Sequence, residues 1–350
     1  MGCTLLKEPA AKGLVGIARL AAESPRVRER AEVEYFKLPV RSALNRESSG
    51  RMPFAWTLNP YRGCEFGCKY CYARYTHEFM EMYDGRDFER KIYAKVEAPD
   101  LLRAELREAR DNGLPIALGT ATDPYQPAEK QFEVTRHMLK IFAEFAGLDF
   151  SVTTKSVLIL RDIDLLRQVS ARHRFSVHMT VTTLDERLAR LLEPKAPAPA
   201  KRLEAVRALA AAGIRTGVNA MPILPGLNDS PRALEMLTSR AAEAGAAFLY
   251  GNLLFLMPSA MKQFMPFLEK EFPRLVKRYR MLYARSAYLQ GEYKENMSKL
   301  LAELRARYGL EGNWGELPPA ARHPQMTLPF SLTPSAVESC SPLTPCHDAV

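Results

Sequence analysis

The 350-residue sequence predicts an α/β fold, a partial (β/α)6 TIM-type barrel with an N-terminal extension and C-terminal helices. Three observations carry that expectation. Short β-rich runs alternate with amphipathic helical runs from Pro53 to Leu256. Glycines fall where helical runs stop, and Asp or Ser stands where several start. The alternation gives about six units, too few to close an eight-stranded barrel.

In chain order, residues 1–52 read as a polar, irregular extension, with one helical run near Gly13–Ala22 and a linker over Arg41–Met52. The barrel is expected over 53–256. A short strand should precede Cys64. Further strand-like runs are Ile116–Gly119, Phe150–Thr153, Phe175–Val181, Thr216–Ala220 and Phe248–Leu256. The helical runs between them are Leu101–Asn112, Ala128–Phe145, Asp164–Ser170, Asp185–Leu192, Lys201–Ala212 and Pro231–Ala244. Such alternation argues for parallel strands joined by crossover helices. Residues 257–312 read as helical, and 313–350 as a Pro-rich disordered tail.

Composition narrows the function classes. The chain is 47% hydrophobic and 25% charged, ordinary for a soluble globular protein. It has no apolar run of about 18 residues, so no membrane partner is expected. The N-terminus lacks a secretory stretch and fails the myristoylation pattern at Leu6, so the expected location is cytoplasmic. Six cysteines do not make a disulfide scaffold in a chain this long. Three of them stand within eight positions, the others being Cys3, Cys340 and Cys346. The net charge of +9 suits a polyanionic partner.

The clustered cysteines lie in Asn59-Pro60-Tyr61-Arg62-Gly63-Cys64-Glu65-Phe66-Gly67-Cys68-Lys69-Tyr70-Cys71-Tyr72-Ala73-Arg74, with spacing C-x3-C-x2-C. Thiolates are the usual ligands of iron–sulfur clusters. Three so close can hold three irons of a [4Fe–4S] cubane and leave the fourth open, as a catalytic metal site requires. Gly63 and Gly67 let the backbone turn around such a bulky group. The other reading is a zinc knuckle, with His77 or a distant Cys as fourth ligand; no second C-x2-C is present.

The run from Asn59 to Arg74 resembles the radical S-adenosylmethionine (SAM) superfamily, and more closely its spore photoproduct lyase-like, DNA repair photolyase-related subgroup. Supporting runs are Gly119-Thr120-Ala121-Thr122-Asp123-Pro124-Tyr125-Gln126-Pro127, Thr153-Thr154-Lys155-Ser156, Thr182-Thr183-Leu184-Asp185, Leu192-Glu193-Pro194 and Pro222-Ile223-Leu224-Pro225-Gly226-Leu227-Asn228-Asp229. The resemblance covers about residues 40–300. It implies that Cys64, Cys68 and Cys71 bind the cluster, whose open iron chelates SAM. Reductive cleavage of SAM then yields a 5′-deoxyadenosyl radical for hydrogen abstraction, and a reductant such as flavodoxin or ferredoxin supplies the electron. It implies further that Tyr70 lies against the adenine. Thr120, Thr122 and Asp123 become candidates for the SAM amino group, Thr180 and Thr182 for the ribose, and Glu193 for a further contact. The Pro222–Gly226 turn would offer backbone groups to the adenine. Lys155 is either a surface lysine or a partner for the SAM carboxylate or a substrate phosphate. Ordinary β-propensity is the competing account of the threonines.

One departure matters. Spore photoproduct lyase uses an additional barrel cysteine as hydrogen donor, and here no Cys occurs between Cys71 and Cys340. Tyr125 and Tyr250 are the candidate substitutes.

Residues 272–290 carry Arg274, Lys277, Arg278, Arg280 and Arg285 and no acid. Four of them, all but Arg280, are expected near one helical face, with Tyr279, Tyr283 and Tyr288 interleaved. Phosphates would suit the stripe and unpaired bases the rings; the competing account is a solvated face with tyrosines packed on the barrel. Met257, Met261 and Met265 read as a core stripe. In the tail, Gln325-Met326-Thr327-Leu328-Pro329-Phe330 resembles the short peptide by which bacterial proteins dock on the sliding clamp. The expected function is therefore a lyase-like radical SAM enzyme acting on nucleic acid in DNA repair or modification. The alternatives are a maturase of a protein or small molecule, and a DNA-binding module with a structural or redox-sensing cluster.

Overall fold

Among the residues described by the computed structural model (13–312, apart from 49 and 51), eleven strands form two sheets. The first part of the chain supplies β1 (Arg26–Arg30), β2 (Val33–Lys37), β3 (Leu44–Arg46), β4 (Trp56–Leu58), β5 (Tyr61–Arg62) and β6 (Lys91–Ala94). The rest supplies β7 (Ile116–Leu118), β8 (Asp149–Thr154), β9 (Arg174–Thr180), β10 (Thr216–Ile223) and β11 (Leu249–Leu253). The larger sheet has the order β11-β10-β9-β8-β7-β4-β3. Its strands from β11 to β4 pair in parallel. The smaller sheet has the order β1-β2-β6-β5.

Parallel neighbours cannot be joined by a hairpin, so each needs a crossover. The helices Ala98–Asp111, Val134–Glu144, Ile163–Arg172, Pro199–Ala211 and Pro231–Glu243 supply five, and Glu292–Tyr308 packs beside the last of them and β11. The result is the six-unit partial barrel that the alternation predicts. Alternate residues of each strand face the helices: Phe150 and Val152 of β8 and Phe175, Val177 and Met179 of β9 are buried there. Phe142 stacks on Phe150 at 4.1 Å. Local signals also act as expected. Asp185 Oδ1 accepts from Leu188 N at 2.9 Å and Ser230 Oγ from Ala233 N at 3.2 Å, each capping a helix.

Several expectations are corrected. Residues 26–46, read as irregular extension and linker, carry three strands, and β3 joins the barrel sheet antiparallel to β4. The run Ala128–Phe145 is two helices, Glu129–Phe132 and Val134–Glu144, separated at Glu133 in a left-handed conformation. The cause is the buried Glu129 carboxylate, which accepts from Thr135 N (2.9 Å) and Arg136 N (3.1 Å) and so caps the second helix. The sixth barrel helix is Glu292–Tyr308, beyond the expected barrel limit of 256. An insertion with helices Pro258–Glu271 and Val276–Leu282 precedes it.

That insertion matters for the site. A second core cluster joins Phe264, Leu268, Tyr279 and Tyr283 of the insertion to Phe66 and Tyr70 of the cysteine loop. Met257, Met261 and Met265 pack against this cluster, as a core stripe should. No helix among the described residues is long and apolar enough to cross a membrane. Cys3, Cys340, Cys346, the expected tail and the Gln325–Phe330 peptide lie outside the described residues.

Candidate active site at the barrel mouth

The cysteine loop follows β5, which itself lies just beyond the C-terminal end of β4. Cys64 and Cys68 are buried, Cys71 is half-buried, and all three thiols are free. The backbone is pinned on every side. Cys64 N donates to Phe88 O at 2.8 Å, and Lys69 N to Leu192 O at 2.9 Å. The buried Arg74 donates to Cys68 O at 2.9 Å and pairs with Glu89 at 3.0 Å. Gln126, fully buried, donates to Gly63 O and accepts from Glu65 N, both at 3.0 Å, and so brackets Cys64. Gly63 has φ 83°, and a Cβ there would stand 2.7 Å from Lys91 O. Only glycine fits that turn.

Three thiols on one loop are a donor set that would suit an iron–sulfur cluster. Among the described residues, no three His, Cys, Asp or Glu side chains converge on one metal position. In a cubane each thiolate would take a different iron. His77 Nε2 lies 3.0 Å from Lys91 O, while its Nδ1 is buried without a hydrogen-bond partner among the described residues. Burial, with Asp123 nearby, pushes the Cys64 thiol well above its usual range. Burial also pushes Cys68 up to about 12, against the opposing pull of Lys155. Thiolates in such a place would need a bound cation beside them, a role that cluster iron would fill.

The predicted contact residues gather at the same end of the sheet. Thr120, Thr122 and Asp123 lie in the loop after β7. Thr120 Oγ1 accepts from Asn59 Nδ2 at 3.1 Å, and Thr122 Oγ1 donates to Gly63 O at 2.6 Å. Asp123 is buried and accepts from Tyr125 N (2.9 Å), Thr154 Oγ1 (2.6 Å) and Lys155 N (2.7 Å). Burial raises its pKa against those hydrogen bonds. Asp123 thereby ties the β7 loop to the end of β8.

Thr180 closes β9, and its carbonyl accepts from Arg202 Nη1 at 3.1 Å. Thr182 Oγ1 lies 2.7 Å from Glu193 Oε1 and 3.0 Å from the Tyr70 hydroxyl. Tyr70 also donates to Glu193, which forms a fully buried ion pair with Arg202. Burial works to raise the Glu193 pKa, but Arg202 and Lys155 outweigh it and hold the carboxyl below its usual value. Lys155 Nζ stands 5.7 Å from the centre of the Tyr70 ring. It is half-buried at the mouth. At the Pro222–Gly226 turn, Asn228 donates to Pro222 O and Thr182 O, joining the ends of β10 and β9.

Gln126, Arg74, Arg202 and Asn228 are the supports that the sequence left unassigned. Arg74, Gln126 and Asn228 stand inside the motif runs, so their position was visible though their partners were not. Of the two tyrosines weighed as hydrogen donors, Tyr125 is buried with Asp162, Glu129 and Arg161 around it. Tyr250 is half-buried and stacks on His178 at 5.9 Å.

The basic region differs from its expected form. The helix stops at Leu282, so Arg285 does not share its face. Tyr279 and Tyr283 are buried in the second core cluster. Tyr288 is exposed. Arg274, Lys277, Arg278, Met281 and Leu282 line a cavity of about 480 Å³.

A glycine-turned loop of three free thiols at the mouth of a six-unit partial barrel defines a radical SAM enzyme. The chain belongs to the radical SAM superfamily, whose family model matches residues 58–237. It is 35% identical over 308 residues to an uncharacterized protein of Mycobacterium tuberculosis, covering 87% of this chain and 90% of that one. An uncharacterized protein of Methanocaldococcus jannaschii is 30% identical over 244 residues, 69% of this chain and 85% of that one. The fold is similar to that of a spore photoproduct lyase variant solved with bound AdoMet and dinucleoside spore photoproduct. That match has TM-score 0.58 and 16% identity, over 77% of this chain and 78% of the other.

Proposed function

We propose a cytoplasmic enzyme that holds a [4Fe–4S] cluster on Cys64, Cys68 and Cys71, binds SAM beside it, and abstracts hydrogen from a nucleic acid. The observation that carries the cluster is the set of three free thiols on one pinned loop at the mouth. When bound and reduced, the cluster supplies one electron to SAM and so releases the 5′-deoxyadenosyl radical.

The chain's own groups suit SAM. Burial lowers the pKa of Lys155, but Cys68 and Glu193 outweigh it, so the ammonium stays charged and fits a carboxylate ligand. Asp123 and Glu193 offer carboxylate oxygens for an amino group or a ribose hydroxyl. Thr120, Thr122, Thr180 and Thr182 add hydroxyls at the same strand ends. Tyr70, anchored through its hydroxyl, offers a fixed ring to the adenine. A flavodoxin or ferredoxin is the proposed electron source. The net charge of +9 and the cationic cavity favour a polyanionic substrate.

The test is anaerobic reconstitution followed by reaction with deuterated oligonucleotides. The expected result is about four irons per chain, and deuterium transferred from one nucleotide position into 5′-deoxyadenosine. SAM cleavage without transfer from any nucleic acid would return the substrate to the protein or small-molecule classes. The sliding-clamp proposal rests on the sequence of Gln325–Phe330 alone. A peptide of residues 323–333 should bind the clamp, and its variant with Leu328→Ala and Phe330→Ala should not; equal behaviour of the two removes it.

A further inference from the structure

Phe255 lies between Leu254 and Leu256, both buried in the cluster that backs the cysteine loop. The backbone here is held extended by Leu254 N to Ile223 O (2.9 Å) and Leu256 N to Ala287 O (3.0 Å). Alternation therefore turns Phe255 to the opposite side. There its ring stacks on Tyr288, with centroids 4.2 Å apart and planes at 23°. Phe255 also meets Tyr72 at 6.1 Å. Tyr72 directly follows Cys71, and its hydroxyl is fixed on the Thr120 carbonyl. Tyr72 is 39% exposed and Tyr288 52%. Two open rings bridged by a third thus run from the cysteine loop to solvent.

The cationic cavity borders the same end of the sheet. A Cβ on Gly226 would lie 3.4 Å from Arg278 Nη1, which sets Arg278 beside the turn after β10. β10 is the neighbour of β11, the strand that leads into Phe255. Arg274 and Lys277 are exposed, and among the described residues neither makes an ion pair. Arg278 approaches Asp229 at 4.0 Å and lies over the Tyr293 ring, 5.9 Å from its centre, with its guanidinium half-exposed.

We infer that Tyr72, Phe255 and Tyr288 form a stacking rail for the bases of a single-stranded nucleic acid, whose phosphates Arg274, Lys277 and Arg278 receive. This rests on the nucleic-acid reading proposed above and narrows it to unpaired strands. The chemistry selects the ligand. Every base has a π face, and pairing in a duplex hides it between neighbours. Stacking rings and exposed cations at the same end of the sheet match a chain of bases on an anionic backbone.

The test uses the full-length, reconstituted protein and fluorescence anisotropy with oligothymidine, oligouridine and a duplex. Both single strands should bind more tightly than the duplex. Tyr288→Ala should weaken single-strand binding by about fivefold to a hundredfold with no change in salt slope. Tyr288→Phe keeps the ring and should keep the affinity. Arg274→Gln with Lys277→Gln should instead flatten the salt slope, by about 0.7 per lost phosphate contact. Equal affinity of Tyr288→Ala and wild type, or a preference for duplex, overturns the rail. Wild-type SAM cleavage is scored separately. Cleavage without ring-dependent binding sinks the rail and spares the radical chemistry; ring-dependent binding without cleavage does the reverse.

Discussion

At Gly63 the chain turns into the cysteine loop with φ 83°, and the space beside its Cα is already filled by the carbonyl oxygens of Lys91 and Phe88. Backbone oxygens cannot swing aside as a flexible side chain can. Gly63→Ala is therefore predicted to cost about 2–4 kcal/mol from the left-handed conformation and the overpacking together. Denaturant unfolding and iron content after reconstitution would check this, and a variant with wild-type values for both would contradict it. Lys95 presents a different residue-scale case. It is buried, and burial, helped by Arg62, lowers its pKa to about 7. Between about pH 7 and 10.5 the unfolded chain holds a proton that the folded chain gives up, so the cost of burying this amine grows as pH falls through that window. Lys95→Met should stabilise the fold by about 1–3 kcal/mol at pH 7, and by progressively less toward pH 10. A gain that does not shrink with rising pH would refute the assignment. Gly63 was legible because a cysteine triplet with flanking glycines has few other uses. Lys95 was not, because a lone lysine after a short apolar run looks like any surface lysine.

Helices meet the site through Glu193 and Arg202. Glu193 ends the helix Glu186–Leu192, and Arg202 lies in the first turn of Pro199–Ala211. The pair is fully buried, and Arg202 also donates to Thr180 O and Pro197 O. Removing one partner leaves the other charged and alone in the interior, which costs more than the pair contributes. Arg202→Met is predicted to lose about 3–5 kcal/mol, while Arg202→Met combined with Glu193→Gln should recover part of that loss. Thermal unfolding of the single and double variants would measure it; a double variant no more stable than the single would show that the charge left behind is not the cause. Glu193 could be picked out from its Leu-Glu-Pro setting. Arg202 could not, because its helix carries Lys201, Glu204 and Arg207 around it and reads as an ordinary charged face. The same limit hid β3, a three-residue strand whose pairing with β4 is a long-range fact. The break at Glu133 was hidden likewise, since it depends on where the Glu129 side chain folds back.

Across the whole molecule the barrel was visible because its strand-helix alternation repeats six times, and repetition survives errors at single boundaries. The insertion was read as helical, but its contact with the cysteine loop was not foreseeable from spacing. Acid stability is also a property of the whole molecule. His77 and His178 are both held by burial at pKa values of about 4. Each stays neutral in the folded chain and takes up a proton on unfolding below about pH 6.5. Stability should therefore fall as pH drops from about 6.5 to 4, and His178→Gln should flatten part of that slope; an unchanged slope would exclude His178 from it. The chain's main assignment needs a more direct measurement. Anaerobically reconstituted, chemically reduced protein is mixed with SAM, and 5′-deoxyadenosine is quantified by liquid chromatography beside the variant with Cys64, Cys68 and Cys71 all changed to Ala. The account predicts 5′-deoxyadenosine and methionine in equal amounts from the wild type and none from the triple variant. Cleavage of SAM by the triple variant would contradict it.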